Sequence, residues 1–282
     1  MTGAARTGWE TLQDSVRGAN KRFSQDAFGV RTVGSATGDP VYVLCVADGH
    51  GAKQHRRSLL GARWAVEAFI GCAEPFAERL AARQDERGDW RRLSEEAEWL
   101  GRSVCHRWRE RALLFDANSP SDGSADPLDP SKTADRLIPY GSTMLGVVIS
   151  RGLMFSWQLG DGDIVLVGER DAWWHPDEHS ALLSTETDSL CGHEPWRSIR
   201  MRWQPLHAYG DRHLVVLATD GLANSFAEGS GLRAFTEGIY RNAHEHGAGW
   251  VRGRLPDWLG AAAAHSGDDT TLVGVIHNGG NG

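Results

Sequence analysis

The chain has 282 residues, of which 40% are hydrophobic and 24% charged, and its formal net charge is -7. Because nucleic-acid-binding proteins present a basic surface, this acidic balance argues against a nucleic-acid partner. The length allows one large domain or two small ones, with a sizeable buried core in either case.

The sequence indicates neither a membrane partner nor a disulfide framework. No apolar stretch follows Met1, and no run approaches the roughly 18 to 20 residues of a membrane span. The four cysteines lack C-x-x-C spacing and are interpreted as reduced core thiols. Only three of the 30 basic residues are lysine, a bias typical of GC-rich bacterial genomes. We therefore expect a cytoplasmic, bacterial protein.

The first predicted elements are two strands followed by two helices. β-rich runs at 27–33 and 41–47 predict the strands, and 34–40 is interpreted as the loose tip of a hairpin. Apolar residues at helical spacing then predict helices within 59–70 and 93–108.

The middle of the chain carries a loop signal and then strand signals. Residues 116–139 are rich in Asp, Ser and Pro without a periodic apolar pattern, which predicts a mobile loop or insertion. Runs at 143–149, 153–159 and 164–167 predict a meander of strands with glycines at the turns.

The last third begins with an irregular segment and returns to regular structure. Residues 169–205 hold four tryptophans, which we interpret as a small local core rather than a partner-docking surface. Residues 229–265 have helical composition, and 271–276 predict a closing strand.

Five short segments place an acidic residue beside glycine or at the end of a strand. In chain order they are 24–27 (SQDA), 46–51 (VADGHG), 159–163 (LGDGD), 218–221 (ATDG) and 267–271 (GDDTT). Four of the five adjoin an apolar run typical of a buried strand, so a rigid scaffold can bring their carboxylates together. Taken singly, an Asp-Gly pair such as that at Asp161 or Asp220 more often makes a turn.

Converging carboxylates indicate a metal centre. They repel one another and raise each other's pKa unless cations neutralise them. Carboxylate oxygen is a hard ligand that suits Mg²⁺ or Mn²⁺. Two such ions about 4 Å apart can bind a phosphoryl group, activate a bridging water and stabilise an in-line displacement. This chemistry predicts hydrolysis of a phosphate ester.

The order and wording of the five segments resemble the type 2C (PPM) metal-dependent serine/threonine protein phosphatases, in a bacterial-like branch. The resemblance covers residues 14–276. It implies an α+β fold, a four-layer αββα sandwich of two antiparallel sheets flanked by helices. Since the acidic segments span both halves of the chain and must meet, we expect a single domain over 1–282. The resemblance also implies that 169–205 forms a flap beside the metals.

The resemblance assigns roles to individual residues. It makes Asp48 the ligand that bridges two Mn²⁺ or Mg²⁺ ions, the Gly49 carbonyl a further ligand, and His50 the general acid. Asp220 and Asp268 match two further metal ligands of the family.

Two departures from the family pattern concern the metals. Gln25 stands before Asp26 where eukaryotic members usually carry Glu, so one contact to the second metal is a neutral amide. Asp26 either binds an ion or orients a water bound to it. Asn224 stands where family members often carry an aspartate. That aspartate would form, with Asp161, a weaker third metal site, and the question of a third ion stays open.

A basic residue upstream of the first acidic pair holds the substrate phosphate in this family. Arg17, Lys21 and Arg22 all lie near that place. Strict spacing selects Lys21, whereas bidentate recognition of phosphate favours an arginine, and we rank Arg17 first.

The implied mechanism needs no covalent intermediate. A hydroxide that bridges the two metals attacks phosphorus, and His50 protonates the departing serine or threonine oxygen. The substrate is then a phosphorylated protein, the target of a separate serine/threonine kinase. Two alternatives stay open. Gln25 and Asn224 are early signs of metal loss that fit a non-catalytic binding or scaffold module, and a small phosphorylated metabolite fits the same metal core.

Overall fold

Two antiparallel five-stranded sheets form the centre of the fold in a computed structural model of the chain. The structure describes residues 8–34, 40–82, 90–119, 133–150, 152–176, 188–227 and 230–279. The strands are β1 (Trp9–Val16), β2 (Ala27–Val33), β3 (Val41–Ala47), β4 (Met144–Ile149), β5 (Leu153–Leu159), β6 (Asp163–Val167), β7 (Trp173–Trp174), β8 (Arg200–Pro205), β9 (Arg212–Ala218) and β10 (Thr270–Asn278).

Helices cover the outer face of each sheet. They are α1 (Ser58–Ala81), α2 (Trp90–Asn118), α3 (Thr133–Leu137), α4 (Asp220–Ala223), α5 (Ser230–His246), α6 (Ala248–Arg252) and α7 (Leu255–Ser266). Sheet I has the strand order β1-β10-β9-β6-β7, and sheet II has the order β2-β3-β4-β5-β8. Helices α1 and α2 pack on sheet II, whereas α5, α6 and α7 pack on sheet I.

The central strands are buried on both faces, and their side chains form three stacked apolar layers. Leu44 and Val46 of sheet II meet Val215 and Val273 of sheet I in the core between the sheets. On the other face of sheet II, successive odd residues such as Cys45 pack against α1 and α2, because side chains alternate across a strand. A corresponding cluster joins sheet I to its helices. The expected α+β fold, a four-layer αββα sandwich, is confirmed.

Strands β2 and β3 have the bounds that the sequence predicts, whereas β1 was not predicted and the predicted meander is wrong at its third strand. Strands β4 and β5 pair with each other, whereas β6 pairs with β9 in sheet I. Gly160 adopts a positive φ of 104° at the crossing. A Cβ at Gly162 would lie 2.7 Å from the Ala218 carbonyl oxygen. These glycines let the chain change sheets within a few residues.

The described ends of the predicted mobile loop at 116–139 are helical, so that prediction is wrong there. Helix α2 runs to Asn118, and α3 is followed by a short 3-10 helix. The Arg136 side chain donates to Asp116 at 2.9 Å, and the Tyr140 hydroxyl donates to the same carboxylate at 3.3 Å. These contacts tie the two ends together. Residues 120–132 lie outside the described part of the chain.

The segment 169–205 contains two strands as well as irregular structure. Strand β7 pairs with β6, and β8 is the last strand of sheet II. Residues 177–187 lie outside the described ranges, so the flap remains a prediction. Among the helices that the structure describes, none is both long and apolar enough to cross a membrane.

The sheets bring four acidic residues to one end of the sandwich. Asp26 directly precedes β2 and Asp48 directly follows β3, and these two strands pair at Ala27 and Ala47. In sheet I, β9 ends two residues before Asp220, and β10 begins two residues after Asp268. Strand pairing therefore fixes the relative height of these carboxylates.

Phe69 tests the packing of the α1 layer on sheet II. Its ring is fully buried and meets Trp157 edge-on at 5.5 Å. Replacing Phe69 by Ala leaves a cavity, so the free energy of unfolding should fall by about 3 to 5 kcal/mol. Leu114→Ala, at a side chain that is 65% exposed, should cost less than about 0.5 kcal/mol. Urea unfolding measures both, and equal losses would contradict the packing described.

Candidate metal centre

Asp26 joins the two sheets at the acidic end of the sandwich. The hydroxyls of Thr219 and Thr271 donate to its Oδ2 at 2.8 and 2.7 Å. Its Oδ1 is buried and meets no hydrogen-bond donor within the described ranges. The Asp48 carboxyl lies close enough to Asp26 and Asp220 for their charges to act on it.

Burial and mutual repulsion raise the pKa values of this group. Burial, followed by the charges of Asp26, Asp220 and Asp268, raises the pKa of Asp48 well above its ordinary value. The pKa of Asp26 rises to about 7, chiefly through burial, against the opposing effect of the two threonine hydroxyls. Burial and the charges of Asp161 and Asp268 raise the pKa of Asp220 to about 6. Positive charge placed among these carboxyls would relieve the repulsion and lower their pKa values.

Lys21 supplies a positive charge on the Asp268 side of the cluster. Its Nζ stands 2.7 Å from Asp268 Oδ1 and 3.8 Å from Asp269 Oδ2. It also donates to Gln25 Oε1 at 3.1 Å. Of the three basic residues considered for phosphate binding, Lys21 lies among the carboxylates. The exposed Arg17 donates to the Lys21 carbonyl, and Arg22 is exposed to solvent.

Asp269 holds the loop that carries Lys21. Its two carboxylate oxygens accept the backbone N–H groups of Gly18, at 2.9 Å, and Gln25, at 2.8 Å. The side chain is almost fully buried. A carboxylate that accepts two backbone donors orders the loop between them. The loop thereby lies directly against the start of β10.

Gly141 and His55 pack closely against His50. The His50 backbone N–H donates to the Gly141 carbonyl at 3.1 Å. A Cβ on Gly141 would lie 2.8 Å from His50 Cδ2 and 2.5 Å from His55 Nδ1. The two imidazole rings are 4.9 Å apart. Burial and the nearby His55 lower the pKa of His50, while Asp161 acts in the opposite direction. No sequence motif singles out His55.

Gly49 is packed too tightly for a side chain. It forms an isolated β-bridge with Ser142, and its N–H donates to the Gln25 carbonyl at 3.2 Å. A Cβ there would lie 2.7 Å from the Ser58 carbonyl carbon. The Gln25 amide also donates to the His50 carbonyl at 3.1 Å and to the Ser58 hydroxyl at 2.5 Å. Gln25 therefore braces the turn that follows β3.

The residues of the predicted third metal site lie beside Asp220. Asp161 is exposed, and its charge acts on both Asp220 and His50. The Asn224 side chain donates to Asp220 Oδ2 at 3.0 Å, while Asp220 Oδ1 is buried without a donor in the part of the chain that the structure describes. Asn224 is thus hydrogen-bonded to one carboxylate oxygen of Asp220, a predicted metal ligand. The third ion stays a prediction.

The donor set suits hard divalent ions. Carboxylate, amide and carbonyl oxygens are the ligands that Mg²⁺ and Mn²⁺ prefer. Among the described residues, the buried Oδ1 atoms of Asp26 and Asp220 meet no hydrogen-bond donor, so a cation could satisfy them. Within the same ranges, no three His, Cys, Asp or Glu side chains already have the geometry of a coordination site.

Solved structures share the fold of the chain at low sequence identity. Stp1 from Staphylococcus aureus, a serine/threonine phosphatase, has 15% identity and a TM-score of 0.57, covering 99% of this chain and 98% of that one. The S. agalactiae serine/threonine phosphatase has 14% identity and a TM-score of 0.56, with 95% and 99% covered. The catalytic domain of the phosphatase PstP, in complex with 2 manganese ions, has 14% identity and a TM-score of 0.57, with 95% and 98% covered.

The family model for protein phosphatase 2C matches residues 17–260. A comparison with curated proteins returns no match. The matched span contains four of the five acidic segments, and the fifth, at the start of β10, completes the same cluster. The chain therefore belongs to the protein phosphatase 2C family of metal-dependent serine/threonine phosphatases.

Proposed function

We propose that the chain hydrolyses phosphoserine and phosphothreonine on proteins at a centre that holds two Mn²⁺ or Mg²⁺ ions. The observation that carries the proposal is the buried cluster of Asp26, Asp48 and Asp220, in which the negative charges of neighbouring carboxylates repel one another. Their pKa values are raised, and buried oxygens of Asp26 and Asp220 meet no donor in the described ranges. Divalent cations would neutralise this repulsion. The two manganese ions of the PstP catalytic domain support the same count.

The chain offers ligands for both ions. Asp48, Asp220 and Asp268 would hold one, and Asp48 with the Gly49 carbonyl would hold the other. Gln25 and Asp26 stand on the side of the second ion, where each would contact it or orient its water, and Asp161 would contribute to a weaker third site. When bound, the ions supply an activated water and neutralise the charge of the phosphoryl group.

His50 and Lys21 would act on the two ends of the phosphate ester. His50 would donate a proton to the departing serine or threonine oxygen, and the charge of Asp161 favours its protonated form. Lys21 is the basic residue that lies nearest the carboxylates, and its ammonium would hold a phosphate oxygen. Arg17 and Arg22 flank it on the same exposed loop and would extend the phosphate-binding surface.

The proposal extends to the cellular setting. The substrate would be a protein phosphorylated by a separate serine/threonine kinase, in the cytoplasm of a bacterium. The arginine-rich composition and four free cysteines support this setting. The relatives named above are serine/threonine phosphatases, which supports a phosphoprotein rather than a small metabolite.

Hydrolysis of a phosphothreonine peptide tests the metal centre directly. Wild-type protein should turn over with Mn²⁺ and lose turnover in EDTA. Asp48→Asn removes a charge that both ions need, so kcat/KM should fall by about 10³-fold or more. Asp211→Asn, at the far end of β9 from Asp220, is the matched control and should retain activity. A folded wild type without turnover would favour a non-catalytic binding module.

The proton-donor role of His50 predicts different losses on different leaving groups. His50→Ala should slow hydrolysis of the phosphothreonine peptide by about 10²-fold or more, because an alkoxide leaves poorly without a proton. Hydrolysis of p-nitrophenyl phosphate should slow far less, since p-nitrophenolate is a stable anion. Equal losses on both substrates would count against proton donation.

The raised pKa of Asp26 predicts a stability difference that grows with pH. A carboxyl whose folded-state pKa lies above its unfolded value stabilises the fold at low pH and loses that stabilisation as the pH rises. Asp26→Asn abolishes this loss. In EDTA, its free energy of unfolding relative to wild type should rise by about 1 to 3 kcal/mol between about pH 5 and about pH 8.

The same variant should lose this advantage in Mn²⁺, because the wild-type carboxylate gains an ion there. Chemical denaturation with and without EDTA at each pH measures both effects. A pH-independent difference would show that Asp26 is ionised in the metal-free fold.

A further inference from the structure

The ammonium group of Lys21 contacts residues assigned to both ion positions. It stands 2.7 Å from Asp268, which would hold one ion, and donates to Gln25 at 3.1 Å, on the side of the other. Asp269 lies 3.8 Å away. Asp48, the residue that both ions would share, is near enough for its charge to act on the ammonium. Lys21 is therefore in the place where added positive charge is needed.

The backbone holds Lys21 over the cluster. Its N–H donates to the Gly18 carbonyl at 3.1 Å. A Cβ at Gly18 would lie 2.5 Å from the Asp268 carbonyl carbon, so this loop presses directly on the residue that Lys21 contacts. Asp269 anchors both ends of the loop through Gly18 and Gln25. The backbone contacts of this loop thus hold Lys21 next to Asp268.

The lysine is charged in this position. Its ammonium lies 2.7 Å from Asp268 and 3.8 Å from Asp269, so it keeps the positive charge that a lysine ordinarily carries at neutral pH. A divalent ion coordinated by Asp268 would stand within a few ångströms of this charge, and the two cations would repel each other strongly. An ion that binds Asp268 must therefore displace the lysine.

We propose that Lys21 is an internal counter-cation that competes with a divalent ion for Asp268 and Gln25. The inference deepens the proposed function and rests on it. The lysine partly neutralises the acidic cluster through its contact with Asp268. The consequence of the competition is that one of the two ions binds more weakly than its carboxylate ligands alone would allow.

Calorimetric titration of the full chain with Mn²⁺ tests the competition. Lys21→Met keeps the length and apolar stem of the side chain but removes its charge, so the weaker Mn²⁺ site should bind about tenfold tighter or more. Lys21→Gln keeps a donor for Asp268 without the charge and should give the same tightening. Lys53→Met removes one lysine charge from an exposed position that has no assigned role in the site, and it should change the Kd less than about twofold.

Thermal unfolding adds a readout that separates competition from a purely structural role. In EDTA the Lys21→Met variant should unfold at a lower temperature than wild type, because the acidic cluster loses its counter-ion. Saturating Mn²⁺ should then raise its Tm by more than it raises that of wild type. A lysine that only braces the loop would lower the Tm equally with and without Mn²⁺, which would overturn the proposal.

The outcomes also distinguish this inference from the proposed function. If wild type and Lys21→Met bind Mn²⁺ with equal affinity, or the variant binds more weakly, competition by Lys21 is wrong and the metal centre stands. If neither binds Mn²⁺, and Asp48→Asn behaves in the same way, the metal centre itself is wrong.

Discussion

Mutual repulsion among carboxylates at the ends of paired strands is the constraint on which the rest of the structure depends. Asp26 and Asp48 flank β2 and β3, whose register is fixed by strand pairing, and Asp220 follows a central strand of sheet I. Flexible loops would let such charges separate. The sandwich prevents this separation because the buried core between the two sheets holds the strands that carry the carboxylates. Packing energy spread over the whole fold thus maintains an unfavourable concentration of negative charge in one place.

Two kinds of interaction offset this repulsion. The hydroxyls of Thr219 and Thr271 donate to one oxygen of Asp26, and the ammonium of Lys21 contacts Asp268 and Asp269. The threonine hydrogen bonds also link the two sheets, so they belong to the scaffold that positions the carboxylates, whereas the lysine supplies positive charge.

The sequence predicts the local elements and the candidate site residues better than it predicts which strands pair and which side chains contact one another. Runs of β-forming residues predict the bounds of β2 and β3, and the acidic segments contain Asp48, Asp220 and Asp268, whose charges act on one another in the structure. Periodicity carries no information on which sheet a strand joins, so the crossing of β6 to sheet I was missed. The spacing that selected Lys21 agrees with its place in the cluster, whereas the argument from guanidinium chemistry favoured the exposed Arg17. His55 and the pairing of Arg136 with Asp116 depend on contacts distant in sequence.

The bond between Asp269 and the loop after β1 has a consequence for the order of assembly during translation. Strand β1 pairs along its length with β10, and the loop that carries Lys21 is anchored by a residue 244 positions later than Gln25. A ribosome-bound chain in which β10 has not yet been synthesised lacks the strand that pairs with β1. It also lacks Asp269, the residue that anchors the loop. Such long-range closure is a slow step in folding. The acidic segments of a nascent chain thus cannot be held together in this way until Asp269 and β10 have been synthesised.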